Sequence, residues 1–409
     1  MTERSQSFTR WIAIGIFSIS SFLNFLDRQL LAAAAPAIRT EFHLSNAQYG
    51  EIVAAFSLAY AITTPVFGIL LDRVGLNVGV ALSVGLWSLS SVFTGVSQSF
   101  STLIGARIGL GVGESAGIPS VSKASGSYLP ASELGFATAV GSIAVAAGTV
   151  SAPLLMASLG TVYGWRSGFF LSGALGIPWI LLWLFTSRRI PARNGHERGS
   201  VSASGRLLRE SSLWLIALAY ALIMAEYSLW MNWTTLYFVQ EHHLSAADAN
   251  RYFSWIPPIF ATCGGFFGGL LAYRWIRRGD FAPHTRFRVC VASMPFVVAS
   301  GIVPWIPTPE LAVIGIGLGV MGCMSMITAI HALPIDLFGP KHAAFSVSLL
   351  ACCYSLFQAV LSPFIGKVVD KVGFSYVCVV MPLLPLLAVF LAKAAAHESR
   401  KAWSTAAAH

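Results

Sequence analysis

Residues 54–75 read AAFSLAYAITTPVFGILLDRVG, a long apolar run that ends in a charged turn. About 20 apolar residues are enough for a helix to cross the hydrocarbon core of a bilayer. The run closes with a glycine, an Asp-Arg pair and a second glycine, at Gly68, Asp72, Arg73 and Gly75. The stretch therefore predicts a transmembrane helix that is followed by a tight, polar loop.

Apolar runs of this kind recur along the whole chain. Hydrophobic residues make up 56% of the 409 residues and charged residues only 11%, whereas about a quarter of the residues in soluble domains are charged. This composition excludes a soluble globular protein and predicts an all-α integral membrane protein with twelve transmembrane helices. The predicted helices span residues 11–35, 48–71, 79–98, 102–127, 134–157, 166–186, 212–238, 253–273, 288–306, 311–334, 344–368 and 374–396.

Basic residues are distributed unevenly among the predicted loops. If both termini are cytoplasmic, 18 of the 26 Lys and Arg residues lie on the cytoplasmic side and five on the other side. This distribution follows the positive-inside rule. It also accounts for the net charge of +9 without a nucleic-acid partner. We therefore predict a multi-pass protein with the lipid bilayer as its surroundings and both termini in the cytoplasm.

The chain divides into two similar halves. The longest polar break, residues 187–211, separates residues 1–186 from residues 212–409, and each half contains six predicted helices. Pro130 and Pro340 each open a short loop at corresponding places in the two halves. Two six-helix bundles joined by a cytoplasmic linker are thus predicted. Parallel repeats of six helices with a substrate site between them are a known transporter plan.

The sequence resembles the major facilitator superfamily, and within it the anion:cation symporters, which include hexuronate and galactonate carriers and, more distantly, sialin and the vesicular glutamate transporters. The turn at Gly68–Gly75 is similar to the superfamily's cytoplasmic motif, although Leu76 and Asn77 replace its usual basic pair. The resemblance implies the major facilitator fold and secondary transport. Six stretches carry it: NFLDRQLLAAAAPAI at 24–38, residues 54–75 quoted above, ARIGLGVGESAGIPS at 106–120, YGWRSGFFLSGALGI at 163–177, WIPPIFATCGGFFGGLL at 255–271 and LPIDLFGPKHAAFSVSLL at 333–350.

Five ionisable residues lie within predicted spans, where such residues usually face a cavity and have partners. They are Asp27, Arg28, Arg107, Glu114 and Glu226. Arg107 and Glu114 are two helical turns apart and share a face, which predicts that they are neighbours. The resemblance assigns proton coupling to Asp27 and Glu114, and anion binding to Arg28 and Arg107. Alternatively, these residues form buried ion pairs that only hold helices together.

The remaining substrate-binding candidates are polar and aromatic. Tyr60 matches a tyrosine of the sugar-acid carriers, and Glu226 lies close to an acidic position of the hexuronate carriers. Trp230, Trp233 and Tyr237 share a stripe of one helix, a pattern more often typical of packing than of sugar binding. The full set of candidates outside the arginines is Tyr60, Glu226, Trp230, Asn232, His331, Tyr354 and Gln358.

The resemblance and the charged residues together predict a proton-coupled symporter of a small organic anion, such as a hexuronate or an aldonate. A uniporter or exchanger of monocarboxylates or aromatic acids is the alternative within the transporter class. A membrane sensor built on a transporter fold is the alternative from another class. No enzymatic, cofactor-binding or metal-binding motif is apparent, and the six cysteines are predicted to be packing residues. We expect no cofactor and no metal, and a monomer.

Overall fold

The computed structural model describes residues 3–190, 207–339 and 342–406, and these residues form helices and no strand. These residues form two compact units. Of the described residues, unit 1 comprises 3–190 and 244–255, and unit 2 comprises 207–243, 256–339 and 342–406. The all-α membrane architecture predicted from the sequence is confirmed.

Unit 1 contains seven long or medium helices. They are α1 (Glu3–Phe42), α2 (Asn46–Val74), α3 (Leu76–Val96), α4 (Phe100–Glu114), α5 (Gly117–Tyr128), α6 (Leu134–Tyr163) and α7 (Arg166–Ser187). Helix α1 packs against α6 and α7, while α3 packs against α4 and α7. Ser45 and Ser99 start α2 and α4 with capping boxes, in which each serine oxygen accepts from a backbone N–H of the first turn.

Unit 2 also contains seven helices. They are α8 (Ser211–Glu241), α9 (Ile256–Arg277), α10 (Ala282–Gly301), α11 (Pro309–Phe338), α12 (Ala343–Val372), α13 (Phe374–Val380) and α14 (Leu383–Ala406). Helix α11 lies between α9 and α10, and α8 packs against α11, α12 and α14. In α8 and in α11, 72% of an apolar stretch of 18 residues is buried. These two helices therefore form the centre of the unit.

Eleven of the twelve predicted spans appear, within the described residues, as helical stretches that are long and apolar enough to cross a membrane. The fourth is missing from this set, because Ser115 and Ala116 divide it into α4 and α5; the twelfth is also interrupted, at Met381 and Pro382 between α13 and α14. The prediction of one continuous helix over 102–127 is therefore wrong. The region is rich in glycine, which weakens a helix, and Pro119 lies in the first turn of α5, where a missing N–H breaks no intrahelical bond.

The predicted linker at 187–211 lies largely outside the described residues, which stop at residue 190 and resume at residue 207. Helix α7 ends at Ser187 and α8 begins at Ser211. One feature was not expected. Residues 244–255 follow α8 in the chain but pack with unit 1, as a short helix that continues into a π-helical turn at Ala249–Phe253. The side-chain amide of the buried Asn250 donates to the Ala33 carbonyl at 2.9 Å.

Large apolar side chains on the outer faces of the helices are exposed. Phe136, Leu181, Phe266 and Val360 each expose more than half of their surface. In water such a surface would be unfavourable, but lipid tails are as apolar as these side chains. The exposed surface is therefore consistent with helices in contact with lipid.

Close helix contacts depend on glycine, and Gly148 of α6 gives a testable case. A Cβ at Gly148 would overlap the carbonyl oxygen of Phe22 in α1. We expect Gly148→Ala to lower the free energy of unfolding by about 1–3 kcal/mol, because the overlap forces two helix backbones apart. Gly141→Ala on the same helix is the matched control, since nothing lies within 4 Å of its Cβ position. Thermal unfolding in detergent measures both, and equal melting temperatures would contradict this packing.

Candidate functional site

Helix α1 carries two adjacent charged residues that point to different neighbours. Successive residues of an α-helix are rotated by about 100°, so Asp27 and Arg28 cannot share one partner surface. Asp27 is 1% exposed and faces α3 and α7. Arg28 keeps 26% of its side chain exposed and faces α4.

Arg28 forms an ion pair with the last residue of α4. Its Nε lies 2.6 Å from Oε2 of Glu114, whose side chain is fully buried. The guanidinium carbon lies 5.2, 5.0 and 4.8 Å from the ring centres of Phe25, Phe56 and Tyr60. Aromatic faces attract a cation within about 6 Å. Arg28 is therefore held by one carboxylate and three rings while part of its side chain stays accessible.

Asp27 is held by two serines. The Ser91 hydroxyl of α3 donates to Oδ1 of Asp27 at 2.9 Å, and the Ser91 and Ser172 hydroxyls are 2.8 Å apart. The second carboxyl oxygen, Oδ2, is buried and has no hydrogen-bond partner. Sequence analysis missed both serines, because single serines are common in membrane helices and gave no pattern.

Arg107 of α4 is a buried cation, and none of the described acidic residues forms a direct ion pair with it. It is 2% exposed, and its Nε and Nη2 atoms have no hydrogen-bond partner. Its guanidinium lies over the Phe169 ring at 5.3 Å. The charges of Asp27 and Glu114 act on it from nearby. Unpaired buried donors are unfavourable. This guanidinium is therefore suited to bind an anion by donating hydrogen bonds to it.

The structure corrects one expectation about this cluster. Helical spacing predicted Arg107 as the neighbour of Glu114, but the direct partner of Glu114 is Arg28. Two acidic and two basic side chains thus form one buried group in unit 1, and we name Asp27, Arg28, Arg107 and Glu114 the charged cluster. When all four residues are ionised, their charges cancel.

The candidates in unit 2 form a separate polar group. The Ser228 hydroxyl donates to Oε1 of the buried Gln358. The Asn232 amide donates to the Ser228 carbonyl at 2.8 Å and to its hydroxyl at 3.1 Å. Asn232 and Gln358 are therefore brought together by Ser228, a residue that sequence analysis did not select.

His331 and Tyr354 lie around another residue that sequence analysis missed, Tyr220. The His331 ring stacks on Tyr220 at 4.7 Å, and Tyr354 meets Tyr220 edge to face at 6.2 Å. His331 Nε2 is buried and has no hydrogen-bond partner.

The aromatic stripe of α8 is a packing feature. Trp230 is 1% exposed and meets Tyr237 edge to face at 5.6 Å. Tyr237 in turn packs against Phe374. Trp230 and Glu226 are both enclosed within unit 2, and their assignment as substrate ligands stays a prediction. The Glu226 carboxyl contacts the Ser300 hydroxyl of α10.

The charged turn between α2 and α3 has the expected form. Gly75 adopts a φ of 86°, a backbone conformation that glycine adopts without the penalty other residues incur. Arg73 is exposed, and the side chain of Asp72 lies outside the described residues. The Lys123 ammonium of α5 donates to the Leu71 carbonyl at 2.9 Å. Sequence analysis assigned no role to Lys123, which stabilises the C-terminal end of α2 through this hydrogen bond.

Comparison with known proteins gives consistent results. Residues 17–350 match the family model of the Major Facilitator Superfamily. The hexuronate transporter of Escherichia coli K12 is 28% identical, covering 93% of this chain and 91% of that protein. The galacturonate transporter of Dickeya chrysanthemi is 31% identical, covering 64% of this chain and 81% of that protein.

A solved structure has the same fold. It is the crystal structure of a bacterial homologue of the human lysosomal transporter Spinster, in an inward-facing and unoccupied conformation. The TM-score is 0.81 at 20% identity, and the match covers 98% of this chain and 99% of that one. At this identity the likeness concerns the fold alone.

Proposed function

The chain belongs to the Major Facilitator Superfamily, and from that premise we propose that it is a proton-coupled symporter of a small organic anion in a bacterial inner membrane. A sugar acid of the hexuronate or aldonate class is the proposed substrate. The names of the hexuronate and galacturonate transporters support this substrate class. The charged cluster of unit 1 supports the coupling to protons.

The observation that carries the proposal is the ion pair between Arg28 and the buried Glu114 at 2.6 Å. A substrate carboxylate that binds Arg28 competes with Glu114 for the same guanidinium. Two carboxylates close together in a low-dielectric site disfavour each other's charge. A proton on Glu114 removes this competition and leaves Arg28 free to bind the substrate.

Charge balance gives the proposed stoichiometry. The ionised charged cluster is neutral, and a substrate monoanion would add one uncompensated negative charge to a site shielded from water. An unpaired charge in such surroundings is strongly unfavourable. One proton per monoanion restores neutrality, and Asp27 and Glu114 are the proposed residues that carry it.

Arg107 is proposed as the second anion-binding group, because two of its nitrogens are buried without a partner. The hydroxyl groups of a sugar acid need donors and acceptors as well. Asn232, Gln358, His331 and Tyr354 are proposed to supply them, and Tyr60 is proposed to border the bound anion beside Arg28. A neutral sugar lacks the carboxylate that this arrangement selects.

Uptake by vesicles containing the purified protein tests the proposal. With labelled galacturonate outside, an inward proton gradient should drive accumulation above the external concentration, and a protonophore should abolish it. One pH unit sustains about a tenfold concentration ratio for one proton per monoanion, since 1.4 kcal/mol corresponds to a factor of ten. Uptake that only equilibrates, with or without the gradient, would instead favour a uniporter or exchanger.

A further inference from the structure

The transport mechanism proposed above assigns no role to the carboxyl group of Glu226. It lies in α8 at the centre of unit 2, is 0% exposed, and its side chain faces α10 and α11. Its Oε1 accepts a hydrogen bond from the hydroxyl of Ser300, and within the described part of the chain its buried Oε2 has no hydrogen-bond partner.

The hydrogen bonds of Ser300 bear on whether the Glu226 carboxyl group carries a hydrogen. The Ser300 hydroxyl also lies 2.9 Å from the Val297 carbonyl oxygen, its neighbour on the same helix. A serine hydroxyl has one hydrogen and can donate one good hydrogen bond. The hydroxyl can donate to Glu226 or to Val297, and when it donates to Val297 a hydrogen bond with Glu226 requires a hydrogen on the carboxyl group.

The surroundings offer no positive charge that would stabilise an ionised Glu226. Among the described residues, no arginine, lysine or histidine pairs with it. The titratable groups that act on Glu226 are buried thiols: Cys323 in α11 hydrogen-bonds to the carboxyl group, and Cys378 in α13 interacts with it electrostatically. Thiols are only weak donors. An ionised carboxylate with a bare oxygen in this place would be strongly unfavourable.

On the side of Oε1 that faces Gly319 of α11, the packing leaves no room for a hydrated cation. A Cβ at Gly319 of α11 would lie 2.5 Å from Cβ of Ser300 and 3.1 Å from Oε1 of Glu226. Even one methyl group would therefore collide with its neighbours there. A proton on the carboxyl group needs no additional space there.

We propose that Glu226 is a proton-binding site of unit 2, separate from the charged cluster of unit 1. The neutral carboxyl group donates its hydrogen to Oγ of Ser300, which donates in turn to the Val297 carbonyl. This chain joins α8 to α10 without a net charge. The proposal concerns the folded protein itself and does not depend on which substrate is transported.

Infrared spectroscopy of the purified protein in lipid at neutral pH tests this site directly. A neutral carboxylic acid has a carbonyl stretching band that an ionised carboxylate lacks. The difference spectrum between the wild type and Glu226→Gln should show the loss of one such band. Asp27→Asn and Glu114→Gln are the matched controls, and the Glu226 band should remain in both.

The Ser300→Ala variant gives an independent result that does not require Glu226 to be replaced. Removing the acceptor of the carboxyl hydrogen should shift the same band to higher frequency, whereas a purely structural role for Ser300 would leave it unmoved. The proposal is overturned if folded Glu226→Gln loses an ionised-carboxylate band instead. Should that variant fail to fold, an unshifted carboxylic band in Ser300→Ala would overturn it.

Discussion

The Glu114→Gln variant is expected to exchange labelled for unlabelled substrate across a vesicle membrane but to lose accumulation driven by a proton gradient. Glutamine has the size of the protonated glutamate and cannot ionise, so Arg28 stays available to the substrate at any pH. The concentration ratio under a gradient of one pH unit should fall from about ten, the value for one proton per anion, to that of simple equilibration. Vesicle uptake and counterflow measure the two activities separately.

A purely structural ion pair predicts a different result for the same variant. Breaking a buried pair can cost about 3–5 kcal/mol, and the variant would then melt early and fail in both assays. Glu51→Gln is the matched control, because it makes the same chemical change at an exposed position of α2. Full gradient-driven accumulation by a stable Glu114→Gln protein would remove Glu114 from the coupling mechanism and leave Asp27 as the proton carrier.

The Arg28→Gln variant is expected to bind the substrate anion about ten- to a hundredfold more weakly, because hydrogen bonds to charged groups contribute roughly 1.5–3 kcal/mol. Arg28→Lys should retain part of the affinity, since lysine keeps the charge but lacks the planar guanidinium that meets a carboxylate in two places. Titration calorimetry measures both affinities. A substrate-induced rise of the melting temperature provides a second measurement.

Two comparisons make the Arg28 experiment decisive. Arg278→Gln removes a positive charge from an exposed position and should leave the affinity unchanged. Arg107→Gln tests the other guanidinium of the charged cluster. If Arg28→Gln binds normally and Arg107→Gln does not, the anion site moves to Arg107 and the role proposed for Arg28 is wrong.

Much of the fold could be predicted because hydrophobicity and charge act locally along the chain. The length of each apolar run decides whether it can span a bilayer, and the basic loops set the predicted orientation. The Gly75 turn could be recognised because its backbone conformation favours glycine. The break at Ser115 and Ala116 could not, since a glycine-rich helix in a membrane is often continuous and its neighbours decide whether it bends.

The candidate site was predicted only in part, for a geometric reason. Buried charges stand out in an apolar sequence, so Asp27, Arg28, Arg107 and Glu114 could all be selected. Their pairing depends on how α1 is rotated relative to α4. The spacing of residues within one helix gives no information about that rotation. For this reason Arg28, rather than Arg107, was found beside Glu114.

The segment at residues 244–255 has a consequence for work with fragments of this chain. A fragment that ends within 187–211 holds six predicted spans but lacks twelve residues that pack with unit 1. The Ala33 carbonyl, which accepts from Asn250, would lose that partner, and Arg251 could no longer reach the Ala157 carbonyl. The first half of the chain therefore lacks part of the packing of unit 1, and we expect a fragment of unit 1 to need residues 244–255 as well.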